Sequence, residues 1–151
     1  MEKFCGNLIN YAGVTQSAHT GVLLTITNCT PASGKRFLVA NNVVIGKTIL
    51  GYKTSIGHLA TMNNLQADIL HNSIFNNKAT TNATYSVNCL NIAGASTDVN
   101  VIGNMLVTID TNQFPLRIDT TTASCFTDYN NYWSNGGFLA RDNVKTFSSL
   151  S

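Results

Sequence analysis

Val39-Ala40-Asn41-Asn42-Val43-Val44 is the stretch on which the fold turns, because altered copies of it recur along the chain. Ile69-Leu70-His71-Asn72-Ser73-Ile74 and Val101-Ile102-Gly103-Asn104-Met105-Leu106 are clear copies. Phe4-Cys5-Gly6-Asn7-Leu8-Ile9 and Thr127-Asp128-Tyr129-Asn130-Asn131-Tyr132 are weaker ones. The common pattern is apolar-x-x-Asn-x-apolar, with Thr127 the poor fit at its first position. The shared asparagines Asn7, Asn42, Asn72, Asn104 and Asn130 are separated by 35, 30, 32 and 26 residues. Repeats of roughly 20–50 residues mark solenoids and arrays, whose units bury apolar faces only by stacking on their neighbours.

Between these copies lie further short segments with a period of two, the period of a strand. They are Val22–Thr27, Ser55–Ala60, Ser86–Ile92, Phe114–Ile118 and Phe138–Ala140. Pro31–Gly34, Asn76–Lys78, Gly94–Ser96 and Ser134–Gly137 punctuate them as turns. Each repeat therefore holds at least two short strands and two turns. A β-sandwich has no need of asparagines at this spacing. A parallel β-helix does, because its coils stack about 4.8 Å apart and place equivalent residues over one another. The expected fold is all-β: a right-handed, single-stranded parallel β-helix of about five coils in one domain spanning residues 1–151.

In that fold two apolar rows point inward, Phe4-Val39-Ile69-Val101-Thr127 and Ile9-Val44-Ile74-Leu106-Tyr132. The asparagine between them is expected to mark a bend, since asparagine tolerates left-handed backbone. Stacked amides would donate to one another as a ladder and so satisfy polar groups that are otherwise buried. Asn7, Asn42, Asn72, Asn104 and Asn130 are thus expected to be structural.

Composition narrows the function. Hydrophobic residues make up 44% of the 151, near the globular norm, so the chain has a core to bury. Charged residues make up only 11% against a usual ~25%, and the net charge is +2. No Lys/Arg cluster offers to neutralise a run of phosphates, so nucleic acid is not an expected partner. Lys35-Arg36, the adjacent basic pair, reads as a solvated loop. No apolar run is long enough for a helical membrane span. The four cysteines (Cys5, Cys29, Cys89, Cys125) show no Cys-x-x-Cys spacing and no clustering with His19, His58 or His71, so no metal or other cofactor is expected. They read as core thiols, with a single Cys5–Cys29 bridge as the alternative.

The segment Phe126-Thr127-Asp128-Tyr129-Asn130-Asn131-Tyr132-Trp133-Ser134-Asn135-Gly136-Gly137-Phe138-Leu139-Ala140-Arg141 resembles the right-handed parallel β-helix repeat proteins of secreted and surface Bacteroidetes type, related in fold to pectate lyases. With the repeats at Asn42, Asn72 and Asn104, the resemblance covers roughly residues 37–150. It implies an extracellular or cell-surface setting. In that group a stretch like Val144–Leu150 is usually followed by more chain, and Met1–Cys5 lacks the apolar core of a signal peptide. The expectation is a segment of a longer secreted solenoid that associates with itself through coil ends or an apolar face.

The same resemblance raises polysaccharide lyase chemistry, in which acidic residues from neighbouring coils converge on calcium beside a basic proton acceptor. Calcium wants 6–8 oxygens together. The rows expected to face outward read Cys5-Ala40-Leu70-Ile102-Asp128 and Lys3-Leu38-Asp68-Asn100-Phe126. Only Asp68 and Asp128 are acidic, about 10 Å apart on coil spacing alone. His58, Asn88 and Arg117, with Asp119 near, are the expected outward row on the other strands and the weak candidates for sugar contact. Asp110 and Asp119 are a remote glycosidase pair. The outward apolar residues Ala40, Leu70, Ile102 and Phe126 need a cover, either residues 46–66 and 76–98 or a second copy. The leading functional expectation is a non-catalytic structural, adhesive or carbohydrate-contacting module. A polysaccharide lyase or glycoside hydrolase, with Asp68, Asp128, Arg117 and Asp119 as candidates, is the alternative. Ice binding through Thr25-Ile26-Thr27 and Thr120-Thr121-Thr122 is weaker, because these threonines do not recur in register.

Overall fold

In the computed structural model, the described residues are 3–10, 24–27, 31–46, 58–63, 66–76, 88–93, 98–109, 114–119, 125–136, 139–142 and 146–147. They form sixteen short strands and no helix. Sheet A contains β1 (Lys3–Cys5), β4 (Phe37–Ala40), β7 (Ala67–Leu70), β10 (Val99–Ile102) and β13 (Cys125–Asp128), in that order. Sheet B contains β2 (Leu8–Asn10), β5 (Val43–Gly46), β8 (Ser73–Asn76), β11 (Met105–Thr108) and β14 (Asn131–Ser134). Sheet C contains β3 (Leu24–Thr27), β6 (His58–Asn63), β9 (Asn88–Ala93), β12 (Phe114–Asp119), β15 (Ala140–Asp142) and β16 (Thr146–Phe147). The chain visits A, B and C in turn, five times. Every pairing is parallel except the last, where β16 lies antiparallel on β15. The architecture is all-β with three parallel sheets, compatible with a β-solenoid.

The two expected inward rows are present in register. Phe4 pairs with Val39, Val39 with Ile69, Ile69 with Val101 and Val101 with Thr127. Ile9, Val44, Ile74, Leu106 and Tyr132 are likewise linked in series. A third row, Phe37-Ala67-Val99-Cys125, runs beside the first. In rounds two to four these rows are buried, except for half-buried Phe37, and they join Ile26, Cys89, Leu90, Ile92, Leu116 and Ala140 of sheet C in one apolar cluster. The constant unit proves longer than the six-residue motif. From the second round on, it is ten residues: four of sheet A, a two-residue corner and four of sheet B. The differences in repeat length fall elsewhere in each round.

The asparagines form a continuous, one-directional ladder. Asn7 Nδ2 donates to Asn42 Oδ1 at 2.9 Å, Asn42 to Asn72 at 2.9 Å, Asn72 to Asn104 at 3.0 Å and Asn104 to Asn130 at 2.9 Å. Each acceptor oxygen also takes the backbone N–H of the same preceding asparagine, at 2.8–3.0 Å. The remaining amide hydrogen of Asn42, Asn72, Asn104 and Asn130 reaches back to the carbonyl of Phe4, Val39, Ile69 or Val101. Asn42, Asn72 and Asn104 are buried, and this geometry gives each of their side-chain donors and acceptors a partner.

The bend itself differs from expectation. The left-handed residue is the one before each ladder asparagine: Gly6, Asn41, His71, Gly103 and Tyr129, all with φ between 54° and 71°. The asparagine is needed for its side chain, while its neighbour turns the backbone and donates its N–H across the stack, as His71 does to Ile102 at 3.1 Å. His71 and Tyr129 hold this conformation at a cost of about 1–2 kcal/mol each. A Cβ on Gly103 would come within 2.6 Å of His71 Nδ1, so this corner needs a glycine for space as well as for φ.

Two stability measurements follow. In chemical denaturation Asn72→Ala loses about 3–5 kcal/mol, because it strands buried groups on both neighbouring rounds. Asn7→Ala, at the half-buried end, loses about 1 kcal/mol. Gly103→Ala destabilises by about 2 kcal/mol or more, and His71→Gly, which removes both the obstructing ring and its own strained φ, recovers part of that loss. An Asn72→Ala chain as stable as the parent would mean that the ladder contributes no net stability.

Candidate functional site

The outward side of sheet A carries the only described cluster of charge that crosses several rounds. Arg36, just before β4, donates from Nε to Asp68 Oδ1 at 2.7 Å and pairs through Nη1 with Asp98 Oδ2. Its Nη2 also donates to the carbonyls of Ala67 at 2.8 Å and Asp98 at 2.5 Å. Asn100 Nδ2 donates to the same Asp68 oxygen at 2.7 Å, and Gln66 Nε2 reaches Asp98 at 3.3 Å. Arg36 is therefore a half-buried clamp over rounds two to four, not part of a solvated loop. It also holds Asp98 at φ 54°. Asp68 Oδ1 is committed to this clamp.

Asp128 lies two rounds from Asp68 and two residues further along the strand, level with Leu70 and Ile102. Its Oδ1 accepts the N–H of Tyr129 at 2.9 Å, which stabilises the corner. The structure does not bring the two carboxylates together. Among the described residues no three His, Cys, Asp or Glu side chains are grouped to hold a metal ion.

The expected row His58-Asn88-Arg117 is not a row. His58 pairs with Asn88, and Asn88 pairs with Phe114; Arg117 is level with Asn91 and Thr61. Asn88 is also fully buried, within a run of five buried residues in β9, so sheet C is covered on both faces there. Arg117 Nε sits 2.5 Å from Asp119 Oδ2 in a local ion pair along β12. The His58 side chain and all of Asp110 lie outside the described residues, as do 47–57, 64–65, 77–87 and 94–97, most of the expected covering segments.

The expected apolar row on sheet A is also corrected. Ala40, Leu70 and Ile102 are in register, but the row ends at Asp128, and Phe126 belongs to the row of Asn100. Ala40 is buried and the next two are half-buried, so little apolar surface is bare there. Most of the bare apolar residues are on sheet B, although Phe126 of sheet A is 55% exposed and Tyr129 at the corner 84%. The outward rows of sheet B are Leu8-Val43-Ser73-Met105-Asn131 and Asn10-Ile45-Phe75-Val107-Trp133. Leu8 is 69% exposed, Met105 45% and Trp133 46%. None of the ten residues is charged. This face is readable in the sequence as the positions one and three after each ladder asparagine, positions left out when only the inward rows and the face before the asparagine are followed.

Cys5, Cys89 and Cys125 are free thiols; Cys29 lies outside the described residues. Burial pushes the Cys89 thiol up to about 12 and Cys125 up to about 11. Cys89 donates to the carbonyl of Val107 at 2.9 Å, which fits a neutral thiol packed between sheets. Burial likewise raises Tyr132 to about 12, while the Asn130 and Thr127 side chains, not aligned to hydrogen-bond the hydroxyl, draw it back only in part. Such thiols are poor nucleophiles at neutral pH.

These raised values set the direction of an alkaline effect. The folded chain holds these protons to a higher pH than the unfolded chain, so unfolding releases them. Their contribution is intact below the ordinary thiol value of 9.0 and is lost as pH rises toward 12. The unfolding free energy from urea titrations should fall above about pH 9, by up to about 1.4 kcal/mol per pH unit for each such group, and fall less steeply in Cys89→Ala. Equal slopes in the two proteins would mean that Cys89 ionises freely in the folded state.

Compared with known proteins, the chain matches no family, no curated protein and no solved structure.

Proposed function

We propose that this chain is a non-catalytic segment of a right-handed parallel β-helix that serves as a structural, adhesive or carbohydrate-contacting module. The observation that carries this reading is that its described acidic candidates serve the scaffold. Asp68 anchors the Arg36 clamp, Asp119 pairs with Arg117, and Asp128 caps the corner at Tyr129. Three parallel sheets around one apolar cluster, with the asparagine ladder at the A–B corner, support the helical solenoid. Right-handed crossover is the rule for parallel connections. The resemblance of residues 126–141 to secreted and surface β-helix proteins of pectate-lyase-like fold supports a place outside the cell in the parent protein. Self-association and contact with polysaccharide belong to the same reading. Among the described residues no helix is long and apolar enough to cross a membrane.

The test is incubation with polygalacturonate, alginate and a panel of neutral polysaccharides, followed for new chain ends and unsaturated uronate. The expected result is no turnover with or without calcium. Turnover abolished by Asp68→Asn, Asp128→Asn or Arg117→Gln would replace the scaffold reading with that of a polysaccharide lyase or glycoside hydrolase.

A further inference from the structure

The outward face of sheet B is unlike the rest of the described surface. Parallel sheets are ordinarily covered on both faces. Sheet C obeys this at β9, and the outer side of sheet A is partly closed by the Arg36 clamp and its own half-buried side chains. On sheet B the outward Ile45, Ser73, Phe75 and Val107 are half-buried as well, but no charged clamp crosses the face, and Leu8, Val43, Met105 and Trp133 are exposed. The two outward rows of sheet B span five strands, about 19 Å across four strand spacings, and combine aliphatic, methionine and aromatic side chains with Ser73, Asn10 and Asn131 and no charge. That composition is typical of the core of a protein interface.

We propose that sheet B is the docking face for a second copy of this chain, packed about a two-fold axis parallel to the stacking direction. The proposal rests on the scaffold reading above and names the surface through which the scaffold assembles. A neutral face gives no attraction to a charged partner and no repulsion toward its own copy. The rows are also complementary to each other in size. With this axis, round meets round, the facing strands run antiparallel, and each residue one after the ladder asparagine meets one three after it. Ser73, the smallest outward side chain, then faces Phe75, the largest in the same round. Val43 meets Ile45, Met105 meets Val107, and the two asparagines, Asn10 and Asn131, fall at opposite ends of the patch. Every contact occurs twice, as an isologous interface requires.

Trp133 is the only tryptophan in the chain, it lies on this face, and it is 46% exposed, so it reports docking directly. The parent chain is followed by light scattering and by tryptophan emission over a wide concentration range. The expected result is a monomer–dimer transition with a matching blue shift. Met105→Lys, at an exposed site, abolishes both while leaving the far-ultraviolet β signal unchanged, and so does Val107→Glu alone. An equimolar mixture of the two variants restores a dimer, because the new ammonium group on one copy then faces the new carboxylate on the other. Thr127→Arg, at the exposed end of the sheet A stack, leaves the dimer intact. A parent chain that is monomeric at every concentration overturns the proposal. So does a dimer that survives Met105→Lys, one abolished by Thr127→Arg, or a mixture that stays monomeric. None of these outcomes changes the polysaccharide assay, so the docking face and the non-catalytic reading fail separately.

Discussion

A buried primary amide must find two acceptors for its hydrogens and donors for its oxygen, and that requirement governs this molecule. Asn42, Asn72 and Asn104 meet it only because the next asparagine lies at the same corner of the next round. A slip of one residue would leave several polar groups buried and unpaired and would also turn each apolar row to the outside. The ladder therefore fixes the register of sheets A and B together. The ten-residue unit is constant because both of its strands are tied to that corner, and insertions collect where no amide has to meet its counterpart.

The inward rows are legible in the sequence because stacking demands the same kind of residue at the same place in each round. Val39, Ile69 and Val101 announce one another, and so do Val44, Ile74 and Leu106. Sheet C is harder to read. Its strands can be located to within a few residues, but their register depends on intervening segments of unequal length, and counting along the sequence cannot align His58, Asn88 and Phe114. The expected row ending at Arg117 fails for that reason. The left-handed position lies one residue before the expected one, because asparagine's preference for that conformation is not what this corner uses. Here the side chain's hydrogen bonds, not the backbone, require the asparagine. Tyr129 carries no such signal, since tyrosine does not favour that region of φ, and His71 carries only a weak one.

The surface is less legible than the core. The Arg36 clamp joins residues up to 62 apart in sequence, and nothing in Lys35-Arg36 indicates that two carboxylates from later rounds will converge on it. Asp68 stands out as a candidate for chemistry because acidic residues are scarce in this chain. Scarcity has another explanation once the sheets are in view: the paired charges of the Arg36 clamp sit where a stack of otherwise neutral strands needs to be held in line. The sheet B face follows from the repeat as directly as the core does, by taking the alternate residues of the same strands.

The ladder points one way. The backbone N–H and one side-chain hydrogen of Asn7, Asn42, Asn72 and Asn104 are satisfied by the following round, 26 to 35 residues later in the chain. During synthesis, then, Asn42 has its acceptor only after Asn72 has emerged, and Asn72 waits in turn for Asn104. Each later round joins the one before it by accepting two hydrogen bonds and returning one. The growing edge is always rich in unmet donors, and each addition both completes its predecessor and opens the same need one step further on. The two edges of a round therefore differ chemically, one accepting at Oδ1 and the other donating N–H, so the stack has a head and a tail.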